Sequence, residues 1–235
     1  MKKFLPLILI VAIVLSGLGL TGCGSKSAQE QPTSVKSAKE ESVADLLSKG
    51  KQIESMTYDF IITAKDSVIN GKVWMQGKKI KTEGVVEGQK SITFYDGETN
   101  TIITYIPDQD TAIKLTADKS KKPTKTPGDY SGEYDATKMK VLETTVYDGV
   151  KCKVIEVADQ GSKSIVKMWV REDNGVPVKI ETNEPDVGKF VIEYKNMNFG
   201  PIPADVFQLP AGIKVTDMNE IMKDLPQMSN MPEIQ

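Results

Sequence analysis

Ile165-Val166-Lys167-Met168-Trp169-Val170, then Arg171-Glu172-Asp173-Asn174-Gly175, then Val176-Pro177-Val178-Lys179-Ile180-Glu181-Thr182: this stretch decides the fold class. Two short apolar runs flank an acidic Asn-Gly turn, which is the pattern of neighbouring antiparallel strands. The same unit recurs outward in both directions. Upstream, strands are expected over 141–147 and Val150 to Val157, with turns at Asp148-Gly149 and Gln160-Gly161. Downstream, Val187-Gly188 turns into Lys189 to Tyr194.

The first half repeats the pattern. Tyr58, Phe60 and Ile62 alternate with Asp59, Ile61 and Thr63. An Asn70-Gly71 turn is expected next, followed by Val73 and Met75 flanking Trp74, and a turn at Gly77 into Ile80-Lys81-Thr82. Ile92 and Phe94, a turn at Asp96-Gly97, Ile102 to Ile106, a turn at Pro107-Asp108, and Ala112 to Leu115 complete it. No long helix separates these strands, which argues against a parallel sheet.

Before the strands, Ser42 is a candidate N-cap with Asp45 at the capping-box position. Val43, Leu46, Leu47 and Ile53 share one face of a helix running from Val43 to about Gln52. Residues 116–140 are rich in Lys, Pro, Gly and Asp, a poor composition for a regular element, and read as a functional lid or a mobile loop. Near the end come Val206 to Pro210 and Ile213 to Val215. A short amphipathic helix begins near Asp217, with Met218, Ile221, Met222 and Leu225 as its stripe.

Composition removes several function classes. The chain has no histidine, which excludes imidazole general bases and His-ligated zinc motifs. Arg171 is its sole arginine, so recognition of a highly anionic ligand by bidentate clamps is not expected. The charge balance argues against nucleic acid. Asp108-Gln109-Asp110 sits in a turn, and the methionine-rich end (Met218, Met222, Met228, Met231) lacks Cys or His company, so neither supports a metal site. Cys152 alternates with Val150 and Val154 and reads as a small buried apolar residue. No nucleophile with an adjacent base can be named, and neither a cofactor nor an enzyme is expected.

The N-terminus reads as a processing signal. Lys2 and Lys3 precede an apolar run from Phe4 to Leu15, and Leu20-Thr21-Gly22-Cys23 closes the segment. This resembles the lipobox of bacterial lipoproteins. The resemblance implies diacylglycerol on Cys23 and cleavage after Gly22, leaving 28 basic and 32 acidic side chains in the mature chain. A membrane-spanning helix is the alternative, but the clean apolar stretch is shorter than the ~20 residues a span needs. The expected organisation is a signal peptide (1–22), a lipidated cysteine and flexible tether (23–40), one domain (41–225) and a frayed tail (226–235). As a flexible coil the tether would reach roughly 20–25 Å, holding a monomer at the extracytoplasmic face of a membrane.

About ten or eleven strands after a stripe-bearing helix resemble the LolA-like superfamily of periplasmic lipoprotein carriers. The features that carry this are Tyr58 and Phe60 in the first strand, Tyr95-Asp96-Gly97 before a strand ending in Tyr105, Met168-Trp169-Val170 leading to Val176-Pro177-Val178, and Phe207 before Leu209-Pro210. The resemblance implies an α+β, mostly β fold: a strongly curved antiparallel half-barrel with the N-terminal and C-terminal helices on its concave side. It further implies an apolar concavity that receives a lipid or acyl chain. Leu46, Leu47, Phe60, Ile62, Trp74, Phe94, Met168, Trp169, Met218 and Met222 are the candidates to line it, although the two tryptophans read equally well as ordinary sheet aromatics. Against the family pattern, the mid-domain helical lid is replaced by the stretch 116–140, and the family's functional arginine has no counterpart in the first strands. Two functions stay open: a lipid-anchored protein binding a hydrophobic ligand, and an envelope sensor or interaction module with no cavity.

Overall fold

The computed structural model describes residues 41–224 apart from 66, 87, 118–124, 159–163 and 185–187. The signal segment, Cys23, the tether, the Gln160-Gly161 turn, Val187 and the tail therefore lie outside the described residues. So do Leu225 and the side chain of Met222.

Helix α1 (Val43–Lys51) starts where the capping residues place it. The Ser42 hydroxyl accepts the Asp45 N–H at 3.1 Å and donates to the Asp45 carboxylate at 2.7 Å. Two meanders follow. The first comprises β1 (Ser55–Ala64), β2 (Ser67–Gln76), β3 (Lys79–Val86), β4 (Gln89–Asp96), β5 (Thr101–Ile106) and β6 (Thr111–Thr116). After α2 (Pro127–Glu133), the second comprises β7 (Lys140–Tyr147), β8 (Val150–Ala158), β9 (Ile165–Arg171), β10 (Pro177–Glu184) and β11 (Gly188–Phe199). A short β12 (Lys214–Asp217) and α3 (Met218–Asp224) end the described chain.

All twelve strands form one open, curved sheet in the order β12-β6-β5-β4-β3-β2-β1-β11-β10-β9-β8-β7. The fold is the expected α+β half-barrel, mostly β, with one more strand than the upper count. Each meander pairs sequential neighbours antiparallel. The meanders meet where β1 pairs with β11, in the register Phe60↔Tyr194, Ile62↔Ile192 and Ala64↔Phe190. The exception to antiparallel pairing is β12, which lies parallel to β6.

The Asn70-Gly71 turn is a misreading: both residues lie within β2, and the chain reverses at Lys65, whose φ is 48°. Gly71 is instead the cross-strand partner of Phe60. A Cβ there would come within 2.8 Å of the Phe60 ring and 2.3 Å of the Glu83 carbonyl oxygen, so the glycine makes room for the aromatic. The stretch 116–140 also differs from expectation, because α2 occupies part of it. Thr126 and Asp129 form a reciprocal capping box and Pro127 sits at the first helical position, where its missing N–H costs nothing.

Pairing register sorts the side chains onto two faces. On one, Leu46 and Leu47 of α1 pack with Met56, Tyr58, Val73, Met75, Ile155, Met168, Val170 and Ile180. Burying each leucine contributes roughly 1.5–3 kcal/mol. Tyr130 and Tyr134, in and just after α2, pack against the same cluster. The other face carries a smaller cluster of Ile92, Phe94, Tyr105 and Ala112, covered by Leu209 and Ile213. The second helix on the main core is thus α2. Helix α3 lies along β6, and none of its described side chains joins either cluster.

Candidate functional site

The helix-bearing face is filled unevenly. Leu46 and Leu47 of α1 are buried in the main core on this face. Over the seam between the meanders an apolar cleft of about 370 Å³ stays open. Its floor comes from alternate residues of β1 (Tyr58, Phe60, Ile62) and β11 (Phe190, Ile192, Tyr194), because a strand presents every second side chain to one face. Ile69, Val73 and Thr82 extend the floor across β2 and β3, Tyr130 of α2 overhangs it, and Lys125 stands at its margin. The volume falls within the ~300–1,000 Å³ of small-molecule sites.

Three phenols line this cleft and stay neutral. The Tyr58 and Tyr194 rings meet edge-on, centroids 5.3 Å apart, and Tyr194 is hydrogen-bonded to Tyr130. Burial, reinforced by the negative charge of Asp129, raises Tyr58 above the ordinary phenol range. Burial and Glu133 push Tyr130 up to about 12. Tyr194 is raised well above that range by burial and by its two tyrosine neighbours. An apolar wall with protonated hydroxyls suits a hydrophobic guest.

A second, polar cleft of about 810 Å³ adjoins it, between the end of α1, the β2–β3 turn and α2. Lys51, Lys78 and Lys125 line it together with Glu54, Asp129 and Glu133. Backbone approaches fix its walls. A Cβ on Gly175, whose φ is +72°, would lie 1.8 Å from the Leu46 carbonyl oxygen, and one on Gly50 would lie 2.4 Å from the Gly175 oxygen. Gly128 of α2 meets the Gly50 carbonyl in the same way at 3.1 Å. Helices α1 and α2 and the turn before β10 therefore touch through bare backbone.

Of the ten cavity candidates, Phe60 and Ile62 line the apolar cleft. Leu46, Leu47 and Met168 are buried in the packed core beside it. Trp74, Phe94 and Trp169 point to the opposite face and are corrected accordingly. Trp74 pairs with Thr57 and Lys81, one residue out of phase with Tyr58 and Val73, and Trp169 pairs with Val154 and Lys179. There the indoles are stacked by lysines: Lys81 lies 4.6 Å from the Trp74 ring and Lys179 4.4 Å from the Trp169 ring. Phe94 belongs to the smaller cluster. Met218 lies in α3, away from the cleft. Sequence reasoning missed Tyr130 and Lys125, which lay in the stretch read as irregular. It also missed Phe190, Ile192 and Tyr194, whose alternation was visible but whose pairing with β1 was not.

No protein-family model matches the sequence, and no curated protein does. Among solved structures, an uncharacterized conserved protein from Thermus thermophilus shares the fold. Its TM-score is 0.51 at 7% identity, over 74% of this chain and 97% of that one. MucB of Pseudomonas aeruginosa, solved with MucA, gives 0.49 at 17% identity over 74% of this chain and 63% of that one. A LolA superfamily protein from Nitrosomonas europaea gives 0.35 at 16% identity over 72% and 98%. The first match supports the architecture, and the other two scores are too low to support more.

Proposed function

We propose that this chain is a membrane-anchored extracytoplasmic lipoprotein, held by diacylglycerol on Cys23, that shelters the acyl chain of a lipid or lipoprotein on the helix-bearing face of its half-barrel. The observation that carries the binding reading is the open apolar cleft over the β1–β11 seam. Surplus apolar surface of this kind needs an occupant, and the described residues of the cleft supply binding groups, which supports a holding role. The lipobox-like Leu20-Thr21-Gly22-Cys23 supports the anchor. Native mass spectrometry of protein purified from membranes should find co-purifying lipid released by organic extraction. A protein that carries none and has no affinity for fatty-acyl probes overturns the reading. Metabolic labelling with an alkynyl fatty acid, lost in Cys23→Ser, tests the anchor separately.

A protein-interaction role has one observation in its favour. Strand β7 forms an edge of the sheet, and its Val141, Leu142 and Val146 are exposed, Val146 to 68%. Such an edge is a template for strand addition. Crosslinking at Val146 that captures an envelope protein in cells, with an empty apolar cleft, would favour this reading.

A further inference from the structure

The apolar and polar clefts share one side chain, Lys125. Its ammonium donates to both Glu133 carboxylate oxygens, at 2.6 and 2.8 Å, and lies 4.9 Å from the centre of the Tyr130 ring. Among the described residues every other one lining the apolar cleft is uncharged, so Lys125 is the charge they present to a guest there. The ion pair is solvent-accessible, with the two side chains 53% and 38% exposed. A pair this exposed is held weakly and exchanges partners easily.

Beyond Lys125 the polar cleft carries two further lysines, set among three carboxylates. Lys51 lies against α2, its ammonium 3.5 Å from where a Cβ on Gly132 would be, and Lys78 faces it from the β2–β3 turn. Among the described residues neither is in an ion pair. Of the acids, Asp129 is engaged by the Thr126 N–H and hydroxyl, both at 2.7 Å, and Glu133 by Lys125. Glu54 is the remaining carboxylate.

We propose that the ligand is a single-chain amphiphile with an anionic headgroup, its tail in the apolar cleft and its head in the polar one, where it displaces Glu133 from Lys125. This rests on the acyl-binding reading above and names the class of lipid. A smaller apolar cleft adjoining a larger polar one that carries three lysines fits a tail and a head in series, and an uncharged or cationic head would leave Lys125 bound to Glu133.

The test is displacement of cis-parinaric acid from the purified full chain by palmitate, hexadecyl phosphate, hexadecanol and hexadecyltrimethylammonium. Palmitate, hexadecyl phosphate or both should bind about 10-fold tighter than the alcohol, the value of one charge-assisted hydrogen bond. Which of the two wins separates a carboxylate head from a phosphate one. Lys125→Gln should abolish that preference by weakening the anions far more than hexadecanol, Lys125→Arg should keep it, and Glu133→Gln should tighten anion binding by removing the competitor. Equal affinity for anion and alcohol, a best-binding cation, or a uniform loss for all probes in Lys125→Gln overturns the headgroup proposal while leaving acyl binding intact. If no probe binds the wild-type chain, the acyl-binding reading falls first and this one with it.

Discussion

At the scale of single residues, the glycine contacts are the least tolerant points. Gly175→Ala puts a side chain both at φ +72° and into the Leu46 carbonyl, and should cost about 2–4 kcal/mol, measured as a lower urea midpoint with an unchanged slope. Cys152 is buried, and burial pushes its thiol up to about 11. It should therefore resist Ellman's reagent in the native protein and react at once in denaturant. The cleft phenols give a pH signature. They keep their protons in the folded state at pH values where unfolded tyrosine, near ~10, has begun to lose them. Folding is thus favoured below that value, and the advantage drains away as pH climbs toward the Tyr130 value of about 12. Tyr130→Phe should lose less stability than wild type between about pH 9 and about pH 11. The clean alternation of β1 makes it legible that Phe60 and Ile62 share a face, the one that lines the cleft. Residue-level reading misplaced both tryptophans for a physical reason: alternation says which residues share a face, not which face receives the helix. Both faces here carry large apolar groups, and the phase is set by Met56 and Tyr58 packing with α1.

At the scale of elements, α1 and α2 divide the labour. Leu47 fixes α1 into the packed end of the half-barrel, and Leu47→Ala should cost about 2–5 kcal/mol in denaturant titration. Helix α2 overhangs the open end and is held at its start by one capping box. Thr126→Ala should cost only ~1 kcal/mol but speed release of a bound fatty-acyl probe in stopped-flow chase. An unchanged release rate would show that α2 does not cover the guest. Helix α1 was legible from Ser42, Asp45 and its leucine spacing. Helix α2 was not, because Pro127, Gly128, Ser131 and Gly132 are weak helix formers. Only Thr126-x-x-Asp129 marked its beginning. Its glycines serve the contact with Gly50 and the approach of Lys51, which no local pattern announces.

At the scale of the whole molecule, the number and order of strands within each meander were readable from turns and alternation. The join was not, since β1 and β11 are far apart in sequence and nothing local specifies their pairing. The cleft sits on that join, so an occupant touches both meanders at once. Palmitate at ~100 times its dissociation constant should raise the unfolding free energy by about 2.7 kcal/mol, read as a shift in urea midpoint. The placement of the indoles has a practical corollary. Trp74 and Trp169 look outward, across the thickness of the sheet from any guest. Their fluorescence should be nearly blind to loading, and a flat emission titration must not be taken for lack of binding. The useful optical reporters are the tyrosines, through near-ultraviolet difference spectra, or a dye that itself enters the cleft.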